Sequence, residues 1–198
     1  MKLLEPKIFV IAHTALDEEA VQNYLCEIKA PNWTTDASGG QKLIEIAGRL
    51  CYKAFGVGLN PNVTRVREGN GAYIGNLLAQ NHGSVLEHVT ITFIFQNVSR
   101  VFTHELCRHR VGVAISQESL RYVTFDQLPF TRVDGIEELE DELMAFETLY
   151  KRLAEKLTGP FSKLKRLTSL FRRMLPQGLA TSLLWTTNLR NLRHVLVQ

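Results

Sequence analysis

Four of the six histidines, His82, His88, His104 and His109, fall within 28 residues, and Arg108, Arg110 and Arg121 lie in or just after the same stretch. Clustered histidines first suggest a metal. Here the carboxylates and thiolates are not grouped as a zinc or iron centre requires, and the neighbouring guanidinium groups repel a cation. An anion accounts for the arginines better, because their forks bind phosphate bidentately and stay charged at every accessible pH. Between the arginines, VGVAISQES (Val111 to Ser119) supplies backbone amides and hydroxyls, and Gly112 lets the chain turn closely around a ligand. A nucleotide fits such a clamp. Ser119 lacks the Gly-x-Ser-x-Gly elbow of a hydrolase, and neither a P-loop nor a GxGxxG turn occurs. A bound dinucleotide would therefore not sit on a Rossmann crossover.

These residues must be positioned by a modest, soluble scaffold. The 198 residues are 45% apolar and 22% charged, with a formal net charge of +3, which suits one globular domain and excludes a disordered chain. Apolar runs are too short for a membrane span, and the charged, proline-broken start does not read as a secretion signal, so a cytoplasmic location is expected. Cys26, Cys51 and Cys107 share no paired spacing and read as reduced thiols.

Lys7 to His13 predicts a strand, and Asp17 the cap of a helix to about Ile28. A helix from Gln41 to Tyr52 follows the turn-rich Pro31 to Gly40, and Phe55 to Asn70 predicts a long loop. Tyr73 to Gln80 predicts a short helix, His88 to Val98 a half-buried strand, and Ser99 the cap of a helix that delivers Arg108, His109 and Arg110. Arg121 to Thr124 reads as a second short strand. An acidic-headed amphipathic helix reaches Leu157, a basic helix reaches Leu175, and Leu179 to Val197 reads as helical with a break near Asn188. The fold class is α+β, a central, mostly antiparallel sheet with flanking helices and a helical C-terminal half.

CRHRVGVAISQESLRYV, Cys107 to Val123, resembles the signature of the flavin-dependent thymidylate synthases: Arg-His-Arg, a spacer, then Ser-x-Arg-Tyr. HGSVLEH, His82 to His88, is similar to the upstream histidine motif of that family. RRMLPQGLATSLLWTTNLRNLRH, Arg172 to His194, is similar to its C-terminal segment. The three motifs keep the family's order, and the likeness covers roughly Gln41 to Gln198.

The resemblance implies that Arg108, His109 and Arg110 hold FAD, with Arg108 also near the nucleotide substrate. It assigns Ser84 and Glu87 to FAD, places His82 beside the flavin ring, and makes Asn188, Arg190 and His194 flavin contacts. Glu105, Gln117, Ser119, Leu120, Arg121 and Arg172 match dUMP-contacting positions, and the resemblance counts Gln117 among the cofactor-binding residues as well. The implied reaction is reductive methylation of dUMP to dTMP, with methylenetetrahydrofolate as carbon donor, NADPH as reductant and FAD as hydride carrier, in a homotetramer with sites shared between subunits. His82 and Ser119 are the implied catalytic positions, Ser119 chiefly by positioning the nucleotide.

Two departures matter. The spacer between Arg110 and Ser119 is eight residues, one longer than the family's usual seven, so contacts within Val111 to Ser116 do not transfer singly. The family's final helix would also continue beyond Gln198, so the single domain, 1–198, is expected to lack that C-terminal end. Two other readings compete: a flavin-dependent pyrimidine nucleotide hydroxymethylase, and a non-catalytic nucleotide or RNA-binding module built on Lys163, Lys165, Arg166, Arg172 and Arg173. The module lacks the interleaved aromatic platform of single-strand binders, which leaves dUMP, without nucleic acid or membrane, as the expected partner.

Overall fold

The structure, a computed structural model, describes residues 1–56, 58–59, 61–63, 66–120 and 125–197. Strands β1 (Lys2–Leu4) and β2 (Lys7–His13) open the chain, followed by helices α1 (Glu18–Glu27), α2 (Gly39–Tyr52) and α3 (Asn70–Ala79). A 3-10 turn at Gly83–His88 leads into β3 (Thr90–Ser99) and α4 (Arg100–Leu106). Then come β4 (Val113–Gln117), β5 (Pro129–Thr131), α5 (Glu140–Ala154), α6 (Phe161–Phe171), β6 (Ala180–Asn188) and α7 (Leu189–Val197). The predicted strand at Arg121 to Thr124 lies outside the described residues.

Strands β2, β3, β6 and β4 form one sheet in that order. Rising numbers in one strand meet falling numbers in the next: Asn188 N donates to Gly112 O at 3.1 Å, and Glu118 N to Ser182 O at 3.1 Å. The α+β class with an antiparallel sheet is as expected. A second sheet pairs β1 with β5 in parallel, Leu3 facing Phe130.

Contacts group the chain into two compact units, one of Met1–Val10, Phe93–Arg110 and Ala114–Trp185, the other of Ile11–Thr92, Val111–Val113 and Thr186–Gln198. In the first, Leu128, Phe130 and Leu179 are fully buried, with Leu143 and Tyr150 of α5 packed on them. Trp185 lies 5.7 Å from Phe93 and 6.0 Å from Phe95, ring to ring. In the second, Ile44 and Ala47 of α2 meet Tyr73 and Leu77 of α3 over Val85, Leu86 and Val89.

The predicted caps are present. Asp17 Oδ1 accepts from Ala20 N at 3.0 Å, and Ser99 Oγ from Phe102 N at 3.1 Å. One element is corrected: the reading of Leu179 to Val197 as helix fails over Ala180–Asn188, which is strand β6. Its burial alternates, with Thr181, Leu183, Trp185 and Thr187 buried and Ser182, Leu184 and Thr186 less so, but each face mixes Leu with Thr or Ser, so the polarity of the sequence does not show the strand period. Strand β4, inside the expected clamp loop, also went unpredicted.

Candidate functional site

In the first unit, α4 starts at the Ser99 cap and turns one face into a cavity of about 580 Å3. Arg100, Thr103, His104 and Cys107 line it at the i, i+3, i+4, i+7 positions of a single helical face. Ile115, Gln117, Glu118, Ser119 and Leu120 close a second side, and Arg172 and Arg173, just after α6, a third. Four of the predicted nucleotide residues, Gln117, Ser119, Leu120 and Arg172, thus line one cavity.

Hydrogen bonds fix these walls. Gln117 Nε2 donates to Thr103 Oγ1 at 3.1 Å, tying the end of β4 to α4. The Glu118 carboxylate accepts from Ser182 N at 2.9 Å and from Thr181 Oγ1 at 3.5 Å, and its carbonyl accepts from Arg100 Nη2 at 3.2 Å. Burial lowers the basicity of Arg100, the Arg172 charge lowers it further, and Glu118 offsets part of both. Two guanidinium groups close enough to disfavour each other's charge, with Arg173 on the same wall, make a site complementary to a phosphate.

Arg100, Thr103 and Glu118 line the cavity and lie outside the residues the motifs point to. The helical spacing from Arg100 to Cys107, counted back from the arginine triplet, was the available signal. Glu105 and Arg108 are exposed and are not brought into this cavity, because α4 faces it with the opposite side. His109 and the exposed Arg110 follow α4 in the same unit. Arg121 lies outside the described residues.

The second unit gathers the other predicted cofactor residues. His82 precedes the 3-10 turn that carries Ser84 and Glu87, and Glu87 forms an ion pair with Arg190 of α7. Leu189 N donates to Val89 O at 2.8 Å, which sets the start of α7 beside that turn. A Cβ on Gly83 would stand 3.2 Å from Arg190 Nε, so the glycine makes room for the guanidinium. Asn188 is buried and accepts the Asn191 amide at 2.9 Å, capping α7, whereas His194 is exposed in the helix's last turn. Tyr52 Oη lies 3.1 Å from His82 Nδ1, with the two rings edge to face.

The longer spacer is also placed. Gly112 pairs with Asn188 and Glu118 with Ser182, so the register is unbroken from 112 to 118 and the strand holds no bulge. Val111 and Gly112, before the strand, form a turn. Among the described residues no group of three or more histidine, cysteine or carboxylate side chains is placed to hold a metal ion. No described helix is long and apolar enough to cross a membrane.

Solved structures share this antiparallel α+β fold. Thymidylate synthase X from Helicobacter pylori, solved with FAD and dUMP, superposes with a TM-score of 0.64 at 18% identity, covering 96% of this chain and 82% of that one. A UMP/dUMP methylase from Streptomyces cacaoi, bound to 5-bromo-dUMP, gives 0.61 at 17% identity, covering 99% and 79%. In sequence, the chain is 34% identical over 186 residues to the flavin-dependent thymidylate synthase of Mycolicibacterium gilvum, covering 85% of this chain and 72% of the relative. The Mycobacterium tuberculosis (strain ATCC 25618 / H37Rv) enzyme of that name is also 34% identical, over 176 residues, covering 82% and 68%. The family model for the thymidylate synthase complementing protein matches residues 34–198. The chain belongs to this family, the flavin-dependent thymidylate synthases.

Proposed function

We propose that this chain catalyses the reductive methylation of dUMP to dTMP, drawing the one-carbon unit from methylenetetrahydrofolate and the electrons from NADPH, with FAD as the resident cofactor. The observation that carries the reading is the arginine-lined cavity in which Gln117, Ser119, Leu120 and Arg172 of the family motifs converge with Arg100. Arg100 and Arg172 take the nucleotide phosphate. Gln117, held by Thr103, and Ser119 orient the base, so Ser119 positions rather than attacks. Arg121, from the same motif, adds a further cation to the nucleotide. Cationic groups around the pyrimidine favour its ionised form and raise electron density at carbon five without a covalent enzyme adduct.

The residues of the second unit fit a flavin nucleotide. Exposed Ser84, Arg190 and His194 offer donors, Glu87 orients Arg190, and Gly83 leaves the cradle that a Cβ would fill. FAD bound there supplies hydride transfer. His82, oriented by Tyr52, stands beside the ring, and Asn188 holds the start of α7 in place. Arg108, His109 and Arg110 are read as FAD-binding from the family motif alone.

The same reading makes the protein a cytoplasmic homotetramer with shared sites. Glu105 and Arg108 face away from the cavity of their own chain, as they would if they served that of a neighbour. Edge strand β2 exposes Ile8, Phe9, Val10 and Ile11 together, an apolar ribbon suited to burial between subunits.

Purified protein should show flavin absorbance, retained or acquired with FAD, that changes when dUMP is added. No flavin under either condition would refute the proposal. Product mass separates methylation from hydroxymethylation, which leaves an additional oxygen on the transferred carbon.

A further inference from the structure

A buried ion pair in the second unit takes no part in the chemistry described above. Glu45 and Arg49 of α2 are 1% and 4% exposed, and Arg49 Nε donates to Glu45 Oε1 at 2.8 Å. The other two arms of the guanidinium reach backbone: Nη1 donates to Ala54 O at 2.8 Å, and Nη2 to Arg67 O at 2.9 Å. Its plane lies between aromatic partners, 4.7 Å from the Tyr73 ring centroid and 5.6 Å from that of Trp33. Glu45 is held in turn, its Oε2 accepting from Thr35 Oγ1 at 2.6 Å and from Asn70 Nδ2 at 2.8 Å.

Each nitrogen of the guanidinium and each oxygen of the carboxylate is thus engaged, and two of the bonds fall on either end of one chain segment. Ala54 and Arg67 both line a cavity of about 340 Å3, whose other walls include Asn62, Val63, Tyr52 and His82. A hydrophobic pair of equal volume would fill the space between α2 and α3 as well, and often more stably. What it would not do is fix two carbonyls at a set separation, which the rigid fork of an arginine does.

We infer that Arg49 is a positioning residue: its Glu45-anchored guanidinium clamps Ala54 and Arg67 and so sets the wall of the cavity that His82 faces. The inference deepens the proposed function and rests on it for the identity of the ligand, since His82 is there read as standing beside the flavin. The cavity with Tyr52 and His82 is then the place where loss of the clamp is felt, and the nucleotide cavity in the other unit is spared.

The test uses the full-length protein loaded with FAD and compares wild type with Arg49→Lys, which keeps the charge beside Glu45 but not the fork. Limited trypsin cleavage after Lys53 and Arg67, followed by mass spectrometry, reads the clamp directly. We expect cleavage about tenfold faster in the variant, as for a segment released to local opening. The FAD dissociation constant should rise by about tenfold, with the dUMP dissociation constant within about twofold of wild type. Cleavage at the wild-type rate would overturn the inference. So would equal weakening of FAD and dUMP, which would indicate general loosening. If neither protein binds flavin or dUMP, the functional reading has failed, and the cleavage rates still decide whether Arg49 holds the segment. Should Arg49→Lys not fold, Glu45→Gln, which keeps the shape but removes the anchoring charge, carries the same readouts and expectations.

Discussion

The Asn188 side chain occupies the space where a Cβ on Gly112 would stand: its Nδ2 lies 1.9 Å from that position, while its Oδ1 accepts the Asn191 amide at 2.9 Å. Gly112 also has φ +67°, a left-handed conformation that a side chain resists. Gly112→Ala therefore meets both strain and a collision with the cap of α7. Either the cap is lost or the turn shifts, and we expect a stability loss of about 2–4 kcal/mol, measured by urea unfolding. Flavin retention should fall with it, because α7 carries Arg190. A variant as stable as wild type would show that the approach is looser than described.

Arg172 should matter to the nucleotide and not to the flavin. Removing one charge-assisted contact to a phosphate costs roughly 1.5–3 kcal/mol, or about 10-fold to 100-fold in affinity. Arg172→Ala is thus expected to weaken dUMP by that factor in calorimetry while FAD binding holds. His109→Ala should show the reverse preference. Equal losses of both ligands in either variant would mean that the two sets of residues are wrongly assigned.

The divergence between motif and strand shows what was legible in this sequence. Caps announce themselves through single polar side chains at fixed offsets, and Asp17 and Ser99 do what their types predict. The cavity was half legible: Gln117, Ser119, Leu120 and Arg172 came from a motif, whereas Arg100 lies in no signature and belongs there only because α4 returns a residue to the same face every three or four positions. Strand β6 was hidden for a different reason. Thr181, Leu183, Trp185 and Thr187 form its buried face and Ser182, Leu184 and Thr186 the more open one, so threonine and leucine stand on both faces and polarity does not mark the strand period. Loop and strand were also confused at Val113–Gln117, where an exposed edge strand offers the same mixture of small and polar residues as a ligand-binding turn.

Trp185 allows that burial to be measured. It is 1% exposed, packs against Phe93 and Phe95, and its Nε1 has no hydrogen-bond partner among the described residues. Trp185→Ala should cost about 3–5 kcal/mol, from lost packing and the cavity left behind. Trp185→Phe should cost well under half as much, because it also removes a buried donor that satisfies nothing. If denaturant melts gave the two variants equal losses, the indole N–H would have to be making a bond that matters.

Glu147 predicts how stability depends on acid. Burial alone would raise its carboxyl above the usual range, but hydrogen bonds from Lys151, the Met1 ammonium group and Leu128 N–H, with the ammonium charge, outweigh burial and hold it at about 2. The folded value lies below the unfolded one, so the folded state gains stability at every pH above the unfolded value of about 4.5. That gain, on the order of 3 kcal/mol, is lost as the pH falls from about 4.5 towards 2, because the unfolded chain takes up the proton first. Unfolding free energies of wild type and Glu147→Gln should accordingly differ most near neutrality and converge at the acid end of this window. A gap that stayed constant from pH 7 to pH 3 would show that Glu147 contributes through shape and neutral hydrogen bonds, and that its charge in the Met1 and Lys151 pairs adds nothing.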